Sequence, residues 1–323
     1  MDKVYNAELQ ERVRQLIDPE TGKMSQAAFG RAIGYSTGSI ISQYLSGAYK
    51  GDVNKLEKAI TNYFDFQGRK QNFERDKGGL RLISRTEYVP TTISERIYMA
   101  IEYIRLTGGI GILHGDAGIG KTRAVLKYRK DNEGSVLYFR AKEGIKTPNE
   151  IFEKIADMLG IVNYRNKKER IEQIRNRLEG KNNIIIIDEA HYLTRRAVDS
   201  LKELAEPNED TSDECASIVL VGNTCIMDYL NGANKEKMRQ FRNRVVYDEE
   251  YKTTQTKMED IRKIFTYLVE QQMEKELNFL FKVSKSECGL RGAVIAYNSA
   301  VTRDDVSLKS LMQAVSSTGA RLI

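Results

Sequence analysis

Tryptophan is absent from this 323-residue chain, and cysteine, histidine and proline are scarce, at three, two and four residues. Cys215, Cys225 and Cys288 are odd in number and lack the spacing of a metal site. They imply free thiols in a reducing cytoplasm rather than a disulfide framework. No run of about 18 apolar residues occurs, so no membrane span is expected. The opening Met1-Asp2-Lys3-Val4-Tyr5-Asn6 lacks the apolar stretch of a signal peptide. An acidic excess is missing as well. The net charge is +6, made up of +2 over residues 1–80, +7 over 81–182 and −3 over 183–323. A positive excess confined to the middle third suggests a polyanionic partner, with nucleic acid the first candidate. A solvated helix face would give the same charge.

What the middle third does contain is Gly115-Asp116-Ala117-Gly118-Ile119-Gly120-Lys121-Thr122, a G-x-x-x-x-G-K-T loop. The apolar run Ile110-Gly111-Ile112-Leu113-His114 before it reads as a buried strand. The stretch from Lys121 to Lys130 lacks Gly and Pro and reads as a helix. A loop between strand and helix offers successive backbone N–H groups and the positive end of a helix dipole to a polyphosphate. Lys121 is then expected on the β/γ phosphates, and the Thr122 hydroxyl on Mg²⁺, with ATP as the ligand.

Ile184-Ile185-Ile186-Ile187 reads as a strand covered on both faces, and Asp188-Glu189 follows at its carboxyl end, where ligands of α/β sheets bind. Asp188 is expected to hold Mg²⁺ and Glu189 to orient or deprotonate the attacking water. His191, which completes an Asp-Glu-Ala-His run, is expected as a local helix residue. Ser217 to Asn223 is a further buried strand, and its terminal Asn223 can hydrogen-bond the γ-phosphate or the water. Three arginines, Arg239, Arg242 and Arg244, precede another strand. A guanidinium donated to a neighbouring subunit would neutralise charge in phosphoryl transfer. Arg244 is favoured, Arg242 is next, and the three stay open.

Along the chain, residues 1–66 read as an all-α domain and 67–86 as a polar linker. Residues 87–250 read as a nucleotide-binding core, and 251–323 as a helical lid. In the first domain a helix from Gln26 to Ile33 and another from Thr37 to Leu45, capped by Ser36, fit a helix-turn-helix. Its outward candidates are Ser36, Thr37, Ser39, Ser42, Gln43 and Tyr44, groups able to meet phosphates or base edges. A purely protein-binding helical domain is the alternative. Pro90 breaks any helix entering the core, and Pro148 opens one that runs to Leu159. A basic helix spans 165–178. Four amphipathic stretches, near 255–271, 273–283, 290–301 and 305–316, make up the lid. Arg291 opens the third and could point back at the nucleotide.

The loop, the acidic pair, Asn223, Arg244 and Arg291 together resemble the AAA+ ATPases in order and spacing. The combination with Ser36-Thr37-Gly38-Ser39-Ile40 at one end and Gly289-Leu290-Arg291 at the other resembles, more narrowly, the phage Mu B transposition-protein family, over roughly residues 15–315. The resemblance implies an AAA+ P-loop core, a parallel sheet flanked by helices, with a C-terminal helical lid and the N-terminal helix-turn-helix domain. It gives Asn223 the role of sensor 1, Arg244 that of the trans-acting finger and Arg291 that of sensor 2. It implies ATP-dependent assembly on double-stranded DNA as a homo-oligomer, a helical filament or ring, with little sequence preference. It also implies delivery of that target DNA to a transposase. Arg140, Lys142, Lys146 and Thr147 are then expected in loops that line the DNA-facing bore. A helicase-loader-like replication ATPase, a nucleotide-gated helix-turn-helix transcription regulator and a secretion-type ATPase are alternatives on the same motifs.

Overall fold

The computed structural model describes residues 5–18, 24–35, 37–75, 80–84, 87–178, 183–206, 215–231, 236 and 238–317, without the side chains of 66 and 68–75. The chain divides into two compact units, Met1–Arg81 and Leu82–Ile323.

The first unit is helical, with α1 (Ala7–Ile17), α2 (Gln26–Ala32), α3 (Ser39–Leu45) and α4 (Val53–Arg75). Asn6 and Ser25 cap α1 and α2 by accepting from the backbone N–H three residues on. Leu9, Val13, Phe29, Ile41, Tyr44, Leu56 and Ile60 close a small core. Two expectations are corrected. Helix α3 starts at Ser39 with Gly38 in the cap position and no side-chain cap, so it is shorter than 37–45. The expected cap Ser36 lies outside the described residues. Helix α4 continues to Arg75, so the stretch from 67 expected as linker begins as helix. Its far end is strapped down too, because Ile83 exchanges two hydrogen bonds with the Asn298 amide.

The second unit is built on a five-stranded parallel sheet: β1 (Gly109–Gly115), β2 (Val136–Arg140), β3 (Ile184–Asp188), β4 (Ser217–Gly222) and β5 (Val245–Tyr251). The spatial order is β2-β3-β4-β1-β5. Parallel strands need covering on both faces, which is why β1, β3 and β4 are buried at every position. On one face lie α5 (Thr92–Thr107) and α6 (Lys121–Asp131), against Leu113, Ile184, Ile186, Val219 and Val221. Helix α5 starts in a capping box between Thr91 and Ser94 and buries Ile93, Ile97, Ala100, Ile101 and Ile104, one helical stripe. On the other face α7 (Pro148–Met158), α8 (Lys167–Leu178) and α9 (Arg195–Ser200) cover Ile110, Ile112, Ile185, Ile187, Ile218 and Leu220. Each fully buried isoleucine contributes about 1.5–3 kcal/mol over its exposed state. The short α10 (Arg239–Arg242) leads into β5.

Among the described residues five α-helices, not four, follow β5: α11 (Met258–Ile264), α12 (Thr266–Glu270), α13 (Glu274–Ser284), α14 (Gly289–Thr302) and α15 (Leu308–Ser317). The stretch expected as one helix near 255–271 is broken at Phe265, whose φ of −106° and ψ of 56° leave the helical region. Its ring is buried against Tyr297 of α14, so tertiary packing overrides the local pattern. No described helix is long and apolar enough to cross a membrane. All three cysteines are free.

Candidate functional site

The carboxyl ends of β1, β3 and β4 meet around the glycine-rich loop. Gly115, Gly118 and Gly120 all have positive φ, at 141°, 77° and 101°. Positive φ at such spacing lets successive backbone N–H groups curl around an anion, as a polyphosphate cradle requires. A Cβ on Gly115 would fall 1.9 Å from the Tyr251 carbonyl oxygen, so only glycine fits between β1 and β5 there. Ile119 is buried and anchors the loop to the core. Asp116 fixes its first turn: its N–H donates to Tyr251 O at 2.9 Å, and its carboxylate accepts from Thr253 N at 2.7 Å. Ala117 stands exposed at the tip.

Lys121 is held inside this turn. Its ammonium donates to the carbonyls of Gly115 and Asp116, at 2.8 and 2.6 Å. Burial pushes its pKa down from 10.5 to about 8; Glu189, Asp116 and Asp188 oppose the shift and Arg291 adds to it. A cation made costly by burial, with only carbonyls as partners, is matched to an incoming anion.

Thr122 donates to Asp188 Oδ2 at 3.0 Å. Asp188 is 2 % exposed, and the same oxygen accepts from the Tyr138 hydroxyl at 3.1 Å and from Arg140 Nε at 3.2 Å. Burial and the neighbouring Asp188 push the Tyr138 pKa up, which keeps that hydroxyl a donor. A threonine hydroxyl and one carboxylate are hard oxygen donors of the kind Mg²⁺ takes beside substrate phosphates. Among the described residues there is no group of three or more His, Cys, Asp or Glu side chains that would make an all-protein metal cage.

Glu189 follows with a left-handed backbone, φ 56°. Such a conformation in a non-glycine residue is costly and concentrates at functional sites. Each of its carboxylate oxygens faces a basic group: Arg140 Nη2 lies 3.5 Å from Oε1, and His191 Nδ1 lies 3.6 Å from Oε2. The His191 nitrogen also accepts from Asn223 N at 3.5 Å. Strand β4, inserted between β1 and β3, delivers Asn223 between the loop and the acidic pair.

The lid reaches the same place. Arg291 N donates to Gly118 O at 3.0 Å. A Cβ on Gly118 would lie 2.6 Å from Cys288 O, and one on Gly289 would lie 2.9 Å from Ala117 O. The amino end of α14 is therefore seated on the loop itself, and Arg291 is exposed beside Lys121.

Arg244 is elsewhere. It precedes β5, whose far end, Tyr251, is the register partner of Gly115. Its carbonyl accepts from Ile110 N at the opposite end of β1, and the six residue steps from Gly109 to Gly115, at about 3.3 Å each, put it about 20 Å from its own loop. Its guanidinium makes one loose ion pair, Nη2 to Glu206 at 3.7 Å, and its buried Nε has no partner among the described residues. Of the other two arginines only Arg242 is firmly held, since the Arg239 pair is as loose as that of Arg244 and more exposed. Arg242 holds Leu230 O at 3.0 Å and the Asn231 side chain, and Arg239 pairs with Glu236 at 3.6 Å.

The expected DNA-facing set is partly reassigned. Arg140 is the last residue of β2, not a loop residue, and its guanidinium is committed to Asp188 and Glu189. The Thr147 hydroxyl caps α7 by accepting from Glu150 N. Lys146 pairs with Glu143 at 2.9 Å, and Lys142, just before that turn and bridged to Ile145, is exposed. In the helical unit Thr37, Ser39, Ser42 and Gln43 are exposed, with the Thr37 and Ser39 hydroxyls 2.9 Å apart. Tyr44, expected outward, is fully buried, and its hydroxyl donates to Glu57. The groups missed from sequence are His191 and the catalytic-side position of Arg140. The Asp-Glu-Ala-His run was the one available signal for the former; pairing of Arg140 with Asp188 in the sheet register had none.

Parts of the chain are similar to known proteins. A family model described as an AAA domain matches residues 104–230. Over 211 residues the chain is 24% identical to the Mu-like prophage FluMu DNA transposition protein B of Haemophilus influenzae, covering 65% of this chain and 68% of that protein. Over 224 residues it is 25% identical to the ATP-dependent target DNA activator B of Escherichia phage Mu, covering 69% and 66%. The chain thus spans about two thirds of the length of these relatives. The solved ADP form of the Aeropyrum pernix ORC2 protein superposes with a TM-score of 0.50 at 16% identity, over 76% of this chain and 72% of that one, a likeness of fold.

Proposed function

We propose that this chain, an AAA+ P-loop ATPase related in sequence to the Mu B transposition proteins, uses ATP to assemble many copies along double-stranded DNA and presents that DNA to a transposase. The observation that carries the reading is the division of the site. Lys121, Thr122, Asp188, Glu189, Asn223 and Arg291 converge on one loop, while Arg244 stands about 20 Å away and can serve only another copy's loop.

In this reading Lys121 leaves the Gly115 and Asp116 carbonyls for the phosphates of ATP. The loop N–H groups and the α6 terminus hold the remaining oxygens. Thr122 and Asp188 would hold Mg²⁺, which when bound neutralises charge on the phosphates. Glu189 takes the proton of the attacking water, and the Asn223 amide orients that water. Arg244 of a neighbouring copy meets the charge that develops on the transferred group. Nucleotide between copies then favours the assembly, and hydrolysis releases it, because the two states differ in contacts. DNA would be held by phosphate contacts from Lys and Arg side chains, Lys142 and Lys146 among them, with a steep salt dependence. The exposed Thr37, Ser39 and Gln43 on and beside α3 would make a second DNA contact from the helical unit.

Electron microscopy with random-sequence DNA tests this directly. Filaments or rings should form with a slowly hydrolysed ATP analogue and disperse with ADP. A protein that stays monomeric on DNA under every nucleotide condition would overturn the reading.

A further inference from the structure

We infer that His191 is a positioning residue for hydrolysis, coupling the strand end that carries Asn223 to the turn that carries Glu189; the inference rests on the reading of Glu189 as the base. Three observations lead there. One nitrogen, Nδ1, faces both partners, 3.5 Å from the Asn223 N–H and 3.6 Å from Glu189 Oε2. The imidazole is mostly covered, with 17 % of its side chain exposed, and it leans on the Tyr192 ring at 4.5 Å between centroids. Gly222, directly before Asn223, lies flush against it: a Cβ there would stand 3.2 Å from His191 N and 3.5 Å from Nδ1.

The chemistry of that nitrogen sets what the residue does. In the neutral ring, an Nδ1 that accepts from Asn223 N–H carries no proton, so the proton sits on Nε2. Glu189 Oε2, 3.6 Å away, then receives no hydrogen bond from that nitrogen. The ring leaves this oxygen's lone pairs available to a water while it ties down the backbone of Asn223. The left-handed backbone at Glu189 is braced by its own turn, with Glu189 N–H donating to Asp188 Oδ1 at 2.9 Å and Tyr192 N–H donating to Glu189 O at 3.0 Å, and His191 lies within that same turn. The tie also runs the other way. A contact that pulls the Asn223 amide toward a γ-phosphate moves the N–H that His191 accepts, and with it the short Ala190–Tyr192 turn that begins at Glu189.

The test measures single-turnover ATP hydrolysis by the full chain on DNA, with ATP affinity and melting temperature read in parallel. His191→Leu keeps bulk and removes the acceptor. His191→Asn keeps an acceptor at the Nδ1 position. His191→Leu should lower the hydrolysis rate about 10- to 100-fold, with ATP affinity within about twofold of wild type and the melting temperature unchanged. His191→Asn should recover most of that loss. Combined with Asn223→Ala, His191→Leu should cost much less than it does alone, since the aim of a missing amide no longer matters. The inference fails if His191→Leu turns over normally or loses affinity as much as rate. It also fails if His191→Asn is no better than His191→Leu, or if the two losses add. Glu189→Gln run alongside separates the two ideas: normal turnover there would remove the base assignment itself, whereas an inactive Glu189→Gln beside a normal His191→Leu would remove only this inference.

Discussion

At the carboxyl ends of β1, β3 and β4 most of the candidate side chains are already engaged. Lys121 sits on two carbonyls, Thr122 and Arg140 on Asp188, and His191 between Glu189 and Asn223. At the amino end of β5 the situation is reversed. Arg244 has one ion pair at 3.7 Å and a buried Nε that no described residue satisfies. The first end has its side chains gathered before a ligand arrives, although Lys121 still has to exchange two carbonyls for phosphates. The second end is a charge with only a loose partner among the described residues. In the function proposed above, the first end receives the nucleotide and the second serves the loop of a neighbouring copy, which would make turnover a property of a pair.

That contrast can be broken from either side. The largest effect should come from Lys121→Ala, which removes the cation at the loop. Nucleotide binding, read by fluorescence titration, and DNA-dependent assembly should be lost together, with turnover down by about a hundredfold or more. Arg244→Ala should bind ATP normally yet hydrolyse about a thousandfold more slowly. Mixing it with Lys121→Ala sharpens the comparison: a pair with one intact loop and one intact arginine at the same boundary should regain measurable hydrolysis that neither variant shows alone. If mixing restores nothing while both variants still co-assemble, Arg244 does not act in trans. Glu189→Gln should slow hydrolysis about 100-fold or more while ATP and DNA remain bound, leaving the assembly trapped in electron micrographs.

A smaller effect follows from pH. Burial holds the Lys121 pKa near 8, below its ordinary 10.5. A bound polyphosphate restores the charged form, so above pH 8 binding takes up a proton, and affinity should fall by up to about tenfold per pH unit. For the ligand-free fold the sign is opposite. Between pH 8 and 10.5 the unfolded chain holds more protons at this position, so this lysine's contribution to stability rises with pH across that window. Affinity that stays flat from pH 7 to 9.5 would show that the ammonium is not the group meeting the phosphates.

Much of the receiving end was legible in sequence because its parts are local. Glycines at fixed offsets, a lysine and threonine opening a helix, and two acids after an isoleucine run all keep their meaning without a fold. What lay beyond reach depended on register. Arg140 pairs with Asp188 only because β2 and β3 align residue for residue, and no spacing along the chain shows that alignment. His191 was legible as a motif letter but not as a neighbour of Asn223, since β4 had first to be placed beside β3. Tyr44 misled for a simpler reason: it lies three residues after Ile41, and the two share the inward face of α3. The break at Phe265 was invisible because an aromatic residue in an amphipathic stretch normally continues a helix.

The seating of α14 on the loop has a mechanical consequence. Gly118 and Gly289 leave no room for slack between them, and Arg291 N–H closes the contact. Anything that spreads the loop must therefore rock the whole C-terminal bundle, and anything that tilts the bundle must reshape the loop. If the chain turns over ATP as proposed, departure of the spent nucleotide would then involve the C-terminal helices as well as the eight residues of the loop.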